Sequence, residues 1–237
     1  MSCALKILAI ETASEQCSAA VWYDGTLYQQ SQLAPREHAR LILPMMQAVL
    51  DEAGLSLSQL DAIAFGRGPG AFTGVRIAAS VAQGSAFAAD LPVLAISSLA
   101  ALAQQGLDQG SRAVFAATDA RMQEVYCASF GADAQGLAQP LTEEQVCSPQ
   151  AVSLPVEPER FSGIGSGFAS YPDALRQALG PRLTQYQPNA FAEAACVARL
   201  AVRAYHSGQQ LPPEQAMPVY LRDHVADPPK RPPLGYR

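Results

Sequence analysis

Short apolar blocks separated by turn-forming residues dominate the chain, and their lengths alternate between those of strands and helices. Residues 6–12 (Lys-Ile-Leu-Ala-Ile-Glu-Thr) are apolar and rich in β-formers, which predicts a central strand. Residues 17–23 return as a second strand, Asp24-Gly25 is a two-residue hairpin signal, and 26–32 form a third strand. Residues 37–53 read as a helix whose Leu41, Leu43, Met45, Met46, Val49 and Leu50 supply more apolar surface than one stripe requires. Pro44 inside it should remove the bond to the Arg40 carbonyl, and Gly54 should end it. A buried strand at 60–65 leads into a glycine-rich loop, 66–76, and then a helix at 77–89. A strand at 92–96 follows, and Ser97-Ser98 can cap a helix at 99–105. The second half has a strand at 113–118, a turn at Asp119-Ala120-Arg121-Met122, and a return strand at 124–130. A polar stretch, 131–142, comes next. A second glycine loop, Phe161-Ser162-Gly163-Ile164-Gly165-Ser166-Gly167, precedes a helix at 171–179. The last long helix is predicted at 189–206, with an apolar segment at 216–221 and a proline-rich tail.

The second half loosely repeats the element order of the first. This predicts two α/β lobes with mixed sheets flanked by helices: residues 1–105, residues 106–226, and a flexible tail at 227–237. The joint falls in the loop 106–110.

Composition narrows the function. At 237 residues, 49% hydrophobic and 16% charged, the chain is globular rather than disordered. A formal charge of −5 opposes autonomous nucleic-acid binding, and the only basic cluster, Lys230-Arg231 with Arg237, is a short part of the tail. Five dispersed cysteines without a CxxC pair predict free thiols in a reducing cytoplasm. The N-terminus is unlike a signal peptide, and no apolar run approaches the ~20 residues of a membrane-spanning helix.

Several features leave two readings open. The loop containing Gly66, Gly68, Gly70 and Gly74 could hold an anion at a helix N-terminus, or its glycines could let two backbones pack closely. Arg67 and Arg76 flank it and could hold an anion or a partner carboxylate. The small residues of the following helix, among them Ala79 and Ala82, suit either this chain's own packing or a partner helix. Asp119, Arg121 and Glu124 read as a local ion pair or as an interlobe or interprotein contact. Sequence spacing shows no Ser–His–Asp or Cys–His set.

Four motifs carry a resemblance. They are Ile10-Glu11-Thr12; Gly68-Pro69-Gly70-Ala71-Phe72-Thr73-Gly74-Val75-Arg76; Asp119-Ala120-Arg121-Met122 with Glu124-Val125-Tyr126; and Pro218-Val219-Tyr220-Leu221-Arg222. From about residue 5 to 225 the chain resembles the TsaB (YeaZ) family of the actin-like ATPase superfamily. The resemblance implies a two-lobed actin-like (RNase H-like) fold and a part in making threonylcarbamoyladenosine next to the anticodon of tRNA. In that system TsaC makes threonylcarbamoyl-adenylate, TsaD transfers the group to tRNA, and TsaE is an ATPase that joins the TsaB–TsaD pair. A TsaB-like chain is then a non-catalytic scaffold and activator of TsaD, touching tRNA only through the complex and able to form a homodimer alone.

The residues agree with that expectation. TsaD relatives carry two histidines on the helix matching 37–53; here only His38 is present, Ile42 stands one turn on, and His38 reads as solvent-facing. Glu11 is a vestigial phosphate-loop residue or a solvated strand-end acid. The turn Ala13-Ser14-Glu15-Gln16 lacks the glycine of a phosphate hairpin, and Glu15 would repel phosphate. The Gly163 to Gly167 loop could admit an adenine or simply turn the chain. No catalytic, cofactor-binding or metal residue is assigned. The predicted partner interface is Leu41, Met45, Met46, Val49, Phe72, Val75, Arg76, Ala79 and Ala82, on helices 37–53 and 72–89. Competing readings are an ATPase or glycoprotease-like enzyme, and direct tRNA binding.

Overall fold

The opening meander forms as the hydrophobic pattern predicts. In the computed structural model, which describes residues 4–222, β1 (Lys6–Glu11), β2 (Gln16–Tyr23) and β3 (Thr26–Leu33) pair antiparallel in succession. Asp24 (φ 49) and Gly25 (φ 79) take the left-handed pair that a two-residue hairpin needs. Helix α1 (His38–Ala53) contains Pro44 and ends at Gly54, whose φ of 66 lets its N–H reach the Asp51 carbonyl while Leu55 reaches Leu50. Strand β4 (Ala62–Gly66), helix α2 (Phe72–Ala89) and strand β5 (Val93–Ile96) complete a five-stranded sheet of order β3-β2-β1-β4-β5. The loop is shorter than its glycines suggest: the helix begins at Phe72, not Ile77, and Gly74 to Arg76 are helical.

Helix α3 (Ser98–Asp108) is capped by Ser97, whose hydroxyl accepts the Ala100 N–H at 3.0 Å. It runs on through Gly106, predicted to lie in the joint. A Cβ there would stand 2.9 Å from Val114 Cγ2, so this glycine seats the helix on the next sheet instead of ending it.

The second sheet comprises β6 (Ala113–Arg121), β7 (Glu124–Ala132), β8 (Ala138–Pro140), β9 (Gln145–Cys147), β10 (Phe161–Ile164) and β11 (Leu183–Gln187). Its order is β11-β10-β6-β7-β8, with β9 also on β7. Helices α4 (Gly167–Ser170) and α5 (Pro172–Leu179) follow β10, and α6 (Ala194–His206) follows β11. The sequence pattern does not reveal β8, β9 or β11, which are short and owe their shape to strand pairing.

Period-2 alternation sorts the first sheet into two faces. Leu8, Ile10, Val21, Ile63 and Phe65 point to a cluster with α1 and α2, whereas Ile7, Ala9, Ala20, Ala62 and Ala64 join a central cluster. That central cluster also takes in Ala116 and Ala128 of the second sheet, together with α3 and α6. Alanine on both partners allows close helix–sheet approach. Phe115, Ala117 and Cys127 on the far face of the second sheet pack with Phe168, Leu175 and Leu179. The partition of helices is crossed: α6 lies on the first sheet, and α3 lies on the second. The proline-rich tail predicted at 227–237, with its basic cluster, lies outside the described residues.

Candidate functional site

The glycine loop between β4 and α2 is pressed onto the turn after β1. Ala71 N–H donates to the Ala13 carbonyl at 2.7 Å, and Thr12 Oγ1 donates to the Gly74 carbonyl at 2.7 Å. A Cβ on Gly70 would sit 2.4 Å from Ala13 O, and one on Gly74 only 2.0 Å from Thr12 O. The geometry therefore supports backbone-on-backbone packing, and a donor that an anion could have used is already engaged.

Glu11 ends β1 fully buried, so it is not a solvated strand-end acid. Its Oε1 accepts the Ala13 N–H at 2.6 Å, and its Oε2 accepts the Ser98 hydroxyl at 2.7 Å. Ser98 Oγ in turn accepts the Gly68 N–H at 3.3 Å, which ties β1, the glycine loop and α3 together. A Cβ on Gly66 would come within 1.9 Å of Glu11 Oε2, so only glycine leaves room for the carboxylate. Burial pushes the Glu11 pKa up, opposed by the Ala13 N–H and the Ser98 hydroxyl.

The second glycine loop is packed as well. Gly165, at φ 113, lies where a Cβ would meet Ala117 O at 2.3 Å, and one on Gly163 would meet the Phe168 ring at 2.3 Å. Phe168 stacks on Tyr186 with centroids 5.1 Å apart. These contacts favour a tight strand-to-helix turn over an adenine seat.

Across the mouth between the sheets, Asp119 accepts from Arg121 N (2.8 Å) and Arg121 Nη1 (3.0 Å), and its own N–H donates to Ser166 Oγ (3.1 Å). Arg121 also stands 3.9 Å from Glu15, an exposed pair reaching toward the first sheet. Arg67 is held by Glu144 at 3.1 Å, and Glu144 also takes the Ser97 hydroxyl. Residues 216–222 form a strap over this mouth. Val219 N–H donates to the Arg67 carbonyl (2.8 Å), while Arg222 donates to the Ala120 carbonyl (3.1 Å) and pairs with Glu124. Between these anchors, Tyr220 accepts Arg76 Nε at 2.9 Å.

The predicted partner-interface residues separate into two sets. Met45, Met46, Val49, Val75, Ala79 and Ala82 are buried inside this chain, so they support the two helices from beneath rather than line a surface. Leu41 is half-buried; Phe72 and Arg76 are exposed. The outer face of α2 instead carries Phe72, Arg76, Ser80, Gly84 and Phe87 on successive turns. Phe72 is 51% and Phe87 79% exposed, and Leu43 on α1 is 56% exposed. A groove of ≈ 330 Å³ is lined by Ala39, Phe72, Ile77, Ser80 and Val81, among others. A Cβ on Gly84 would meet nothing within 4 Å, so no contact inside the chain requires that glycine. Ser80 and Gly84 belong to the small residues that sequence reasoning offers to a partner helix without assigning them to the interface, and it does not single out Phe87. A helical wheel of α2 with Val75, Ala78, Ala82 and Ala86 turned inward places them together on the opposite side.

His38 also differs from expectation. It is buried, its Nε2 has no hydrogen-bond partner among the described residues, and Ile42 is fully buried one turn on. The described residues contain no group of three or more His, Cys, Asp or Glu able to hold a metal ion. They also contain no helix long and apolar enough to cross a membrane.

Two mixed sheets, each flanked by helices, with a β1 turn and a glycine loop meeting at the head of α2, define a mixed α/β protein. A family model described as TsaD, tRNA N6-adenosine threonylcarbamoyltransferase, matches residues 28–230. The protein named tRNA threonylcarbamoyladenosine biosynthesis protein TsaB from Escherichia coli (strain K12) is 40% identical over 227 residues, covering 94% of this chain and 96% of that one. Its namesake from Haemophilus influenzae is 39% identical over 232 residues, covering 93% and 95%. Among solved structures, YeaZ from Pseudomonas aeruginosa superposes with a TM-score of 0.86 at 42% identity, covering 92% of this chain and 100% of that one. The chain belongs to the TsaB (YeaZ) family, which shares the TsaD family model.

Proposed function

We propose that this chain serves threonylcarbamoyladenosine synthesis in tRNA as a non-catalytic scaffold and activator of TsaD, docking through the outer face of α1 and α2. The observation that carries this reading is that outer face: Phe72 and Phe87 of α2 and Leu43 of α1 are largely exposed, and α2 also carries Gly84, which nothing within the chain needs. A glycine in a helix interior costs about 0.5–1 kcal/mol relative to alanine, which a closely approaching partner helix would offset. The crowded glycine loops and the lone His38 fit a partner that carries no reaction of its own. TsaE joins the TsaB–TsaD pair in this reading, tRNA is met only through the complex, and the chain works in the cytoplasm. The same face serves a homodimer when TsaD is absent.

The test is reconstitution. TsaC, TsaD and TsaE are mixed with tRNA, with and without this protein, and threonylcarbamoyladenosine is quantified by mass spectrometry. Modification should require the protein and should fail with Phe87→Asp plus Leu43→Asp, which also should not co-purify with TsaD. Arginine at the buried Ala79 or Ala82 would disturb the core and cannot serve here. Full modification without the protein, or loading of tRNA by the protein alone, would overturn the proposal.

A further inference from the structure

Arg76 is an exposed cation on the proposed docking face. Its guanidinium carbon lies 3.2 Å from the Phe72 ring centroid and 5.3 Å from that of Tyr220. Phe72 and Tyr220 themselves stand 6.0 Å apart, so the guanidinium is held by two aromatic rings. Nε donates to the Tyr220 hydroxyl at 2.9 Å. That leaves the terminal Nη1 and Nη2 groups, which bond no acceptor among the described residues. Arg76 has no carboxylate partner there, as is also true of Arg36, Arg112, Arg160, Arg176 and Arg182, but Arg76 is the one of these clamped between two aromatic rings. The groove beside it contributes Ala39, Ile77, Val81, Thr73 and Ser80, with no acidic side chain.

We propose that Arg76 is a prearranged carboxylate receptor, taking an aspartate or glutamate of the TsaD that docks on α2 while an apolar neighbour of that residue fills the groove. The proposal rests on the docking reading above and adds the chemistry by which the partner is recognised. A guanidinium already fixed by aromatic stacking loses little freedom on binding, and its two terminal nitrogens match the two oxygens of a carboxylate. The groove lining offers this cation no acidic side chain of its own, so its complement has to come from the docked partner. The receptor is assembled from two distant parts of the chain, the first turn of α2 and the strap at 216–222.

The experiment titrates purified full-length protein with the TsaD of the same genome by calorimetry at 50, 150 and 500 mM NaCl. Arg76→Gln should weaken binding about 10- to 30-fold and flatten its salt dependence. Arg76→Lys keeps the charge but not the fork and should recover only part of the loss. Tyr220→Phe, which removes the hydroxyl that holds Nε, should weaken binding in the same direction by less. Phe87→Asp reports on the docking face independently. Wild-type affinity in Arg76→Gln alongside lost binding in Phe87→Asp would overturn the carboxylate receptor and leave the face standing. Unchanged binding in both would overturn the docking reading itself. If sedimentation of the protein alone shows Arg76→Gln breaking a self-associated form while the TsaD titration is unchanged, the carboxylate belongs to a second copy, and the assignment to TsaD is wrong.

Discussion

Two glycines in one helix make opposite predictions. Gly74 and Gly84 both lie within α2, where an isolated glycine normally costs about 0.5–1 kcal/mol relative to alanine. At Gly84 a new methyl group meets nothing within 4 Å, so Gly84→Ala should stabilise the fold by that amount. At Gly74 the methyl would be 2.0 Å from Thr12 O and 3.0 Å from its carbonyl carbon. Those are backbone atoms, so the head of α2 and the β1 turn must move apart. Overpacking of this kind costs roughly 1–3 kcal/mol. The displacement also strains the buried 2.7 Å bond from Thr12 Oγ1 to the Gly74 carbonyl, worth about 1 kcal/mol. After subtracting the helical gain, Gly74→Ala should lose roughly 1–3 kcal/mol. In a protein of this size that is a fall in Tm of roughly 2–12 °C, against a rise of about 1–4 °C for Gly84→Ala. Thermal melts by circular dichroism in phosphate-free buffer measure both. If Gly74→Ala melts at or above the wild type, the loop is not fixed against β1 and is open enough to take an anion, which would refute the packing argument.

Ser98→Ala removes the hydroxyl joining Glu11 Oε2 to Gly68 N–H and should cost roughly 1–3 kcal/mol, read from the urea midpoint. Glu11 has a folded pKa raised by burial, so the folded state holds its proton more tightly than the unfolded state does. The associated stability is full below the ordinary carboxylate range and is lost as pH rises through the raised folded value. Glu11→Gln should therefore lessen the decline in urea midpoint as pH rises from about 4.5 to 8, and parallel curves would contradict this. Arg182 donates to the carbonyls of Pro155 (2.7 Å), Val156 (2.9 Å), Pro158 (2.6 Å) and Glu159 (3.1 Å). Arg182→Ala should make the segment 153–160 the first site of proteolytic nicking, mapped by mass spectrometry, with little change in binding at α2.

The parts of the fold legible in sequence are those governed by local rules. Asp24-Gly25 announces its hairpin, Gly54 ends α1, and the apolar runs of β1 and β4 stand out from their surroundings. Pairing is not local, so β8, β9 and β11 left no periodic trace. The exposed face of α2 is obscured in the sequence for a steric reason. Alanine, serine and glycine occupy every side of α2, so hydrophobicity alone does not tell which side meets the sheet. The structure turns Val75, Ala79 and Ala82 inward and leaves the much larger Phe87 outside. Glu11 misled for the opposite reason, because its charge suggests water while the Gly66 gap and the Ser98 hydroxyl make an interior place for it.

The crossed placement of α3 and α6 has a mechanical consequence. Each sheet is roofed by a helix that the other stretch of chain supplies, and the two helices also touch each other. Levering the sheets apart would part α3 from α6 and wet the alanine-lined seam, while each helix stayed tied by its own chain to the opposite sheet.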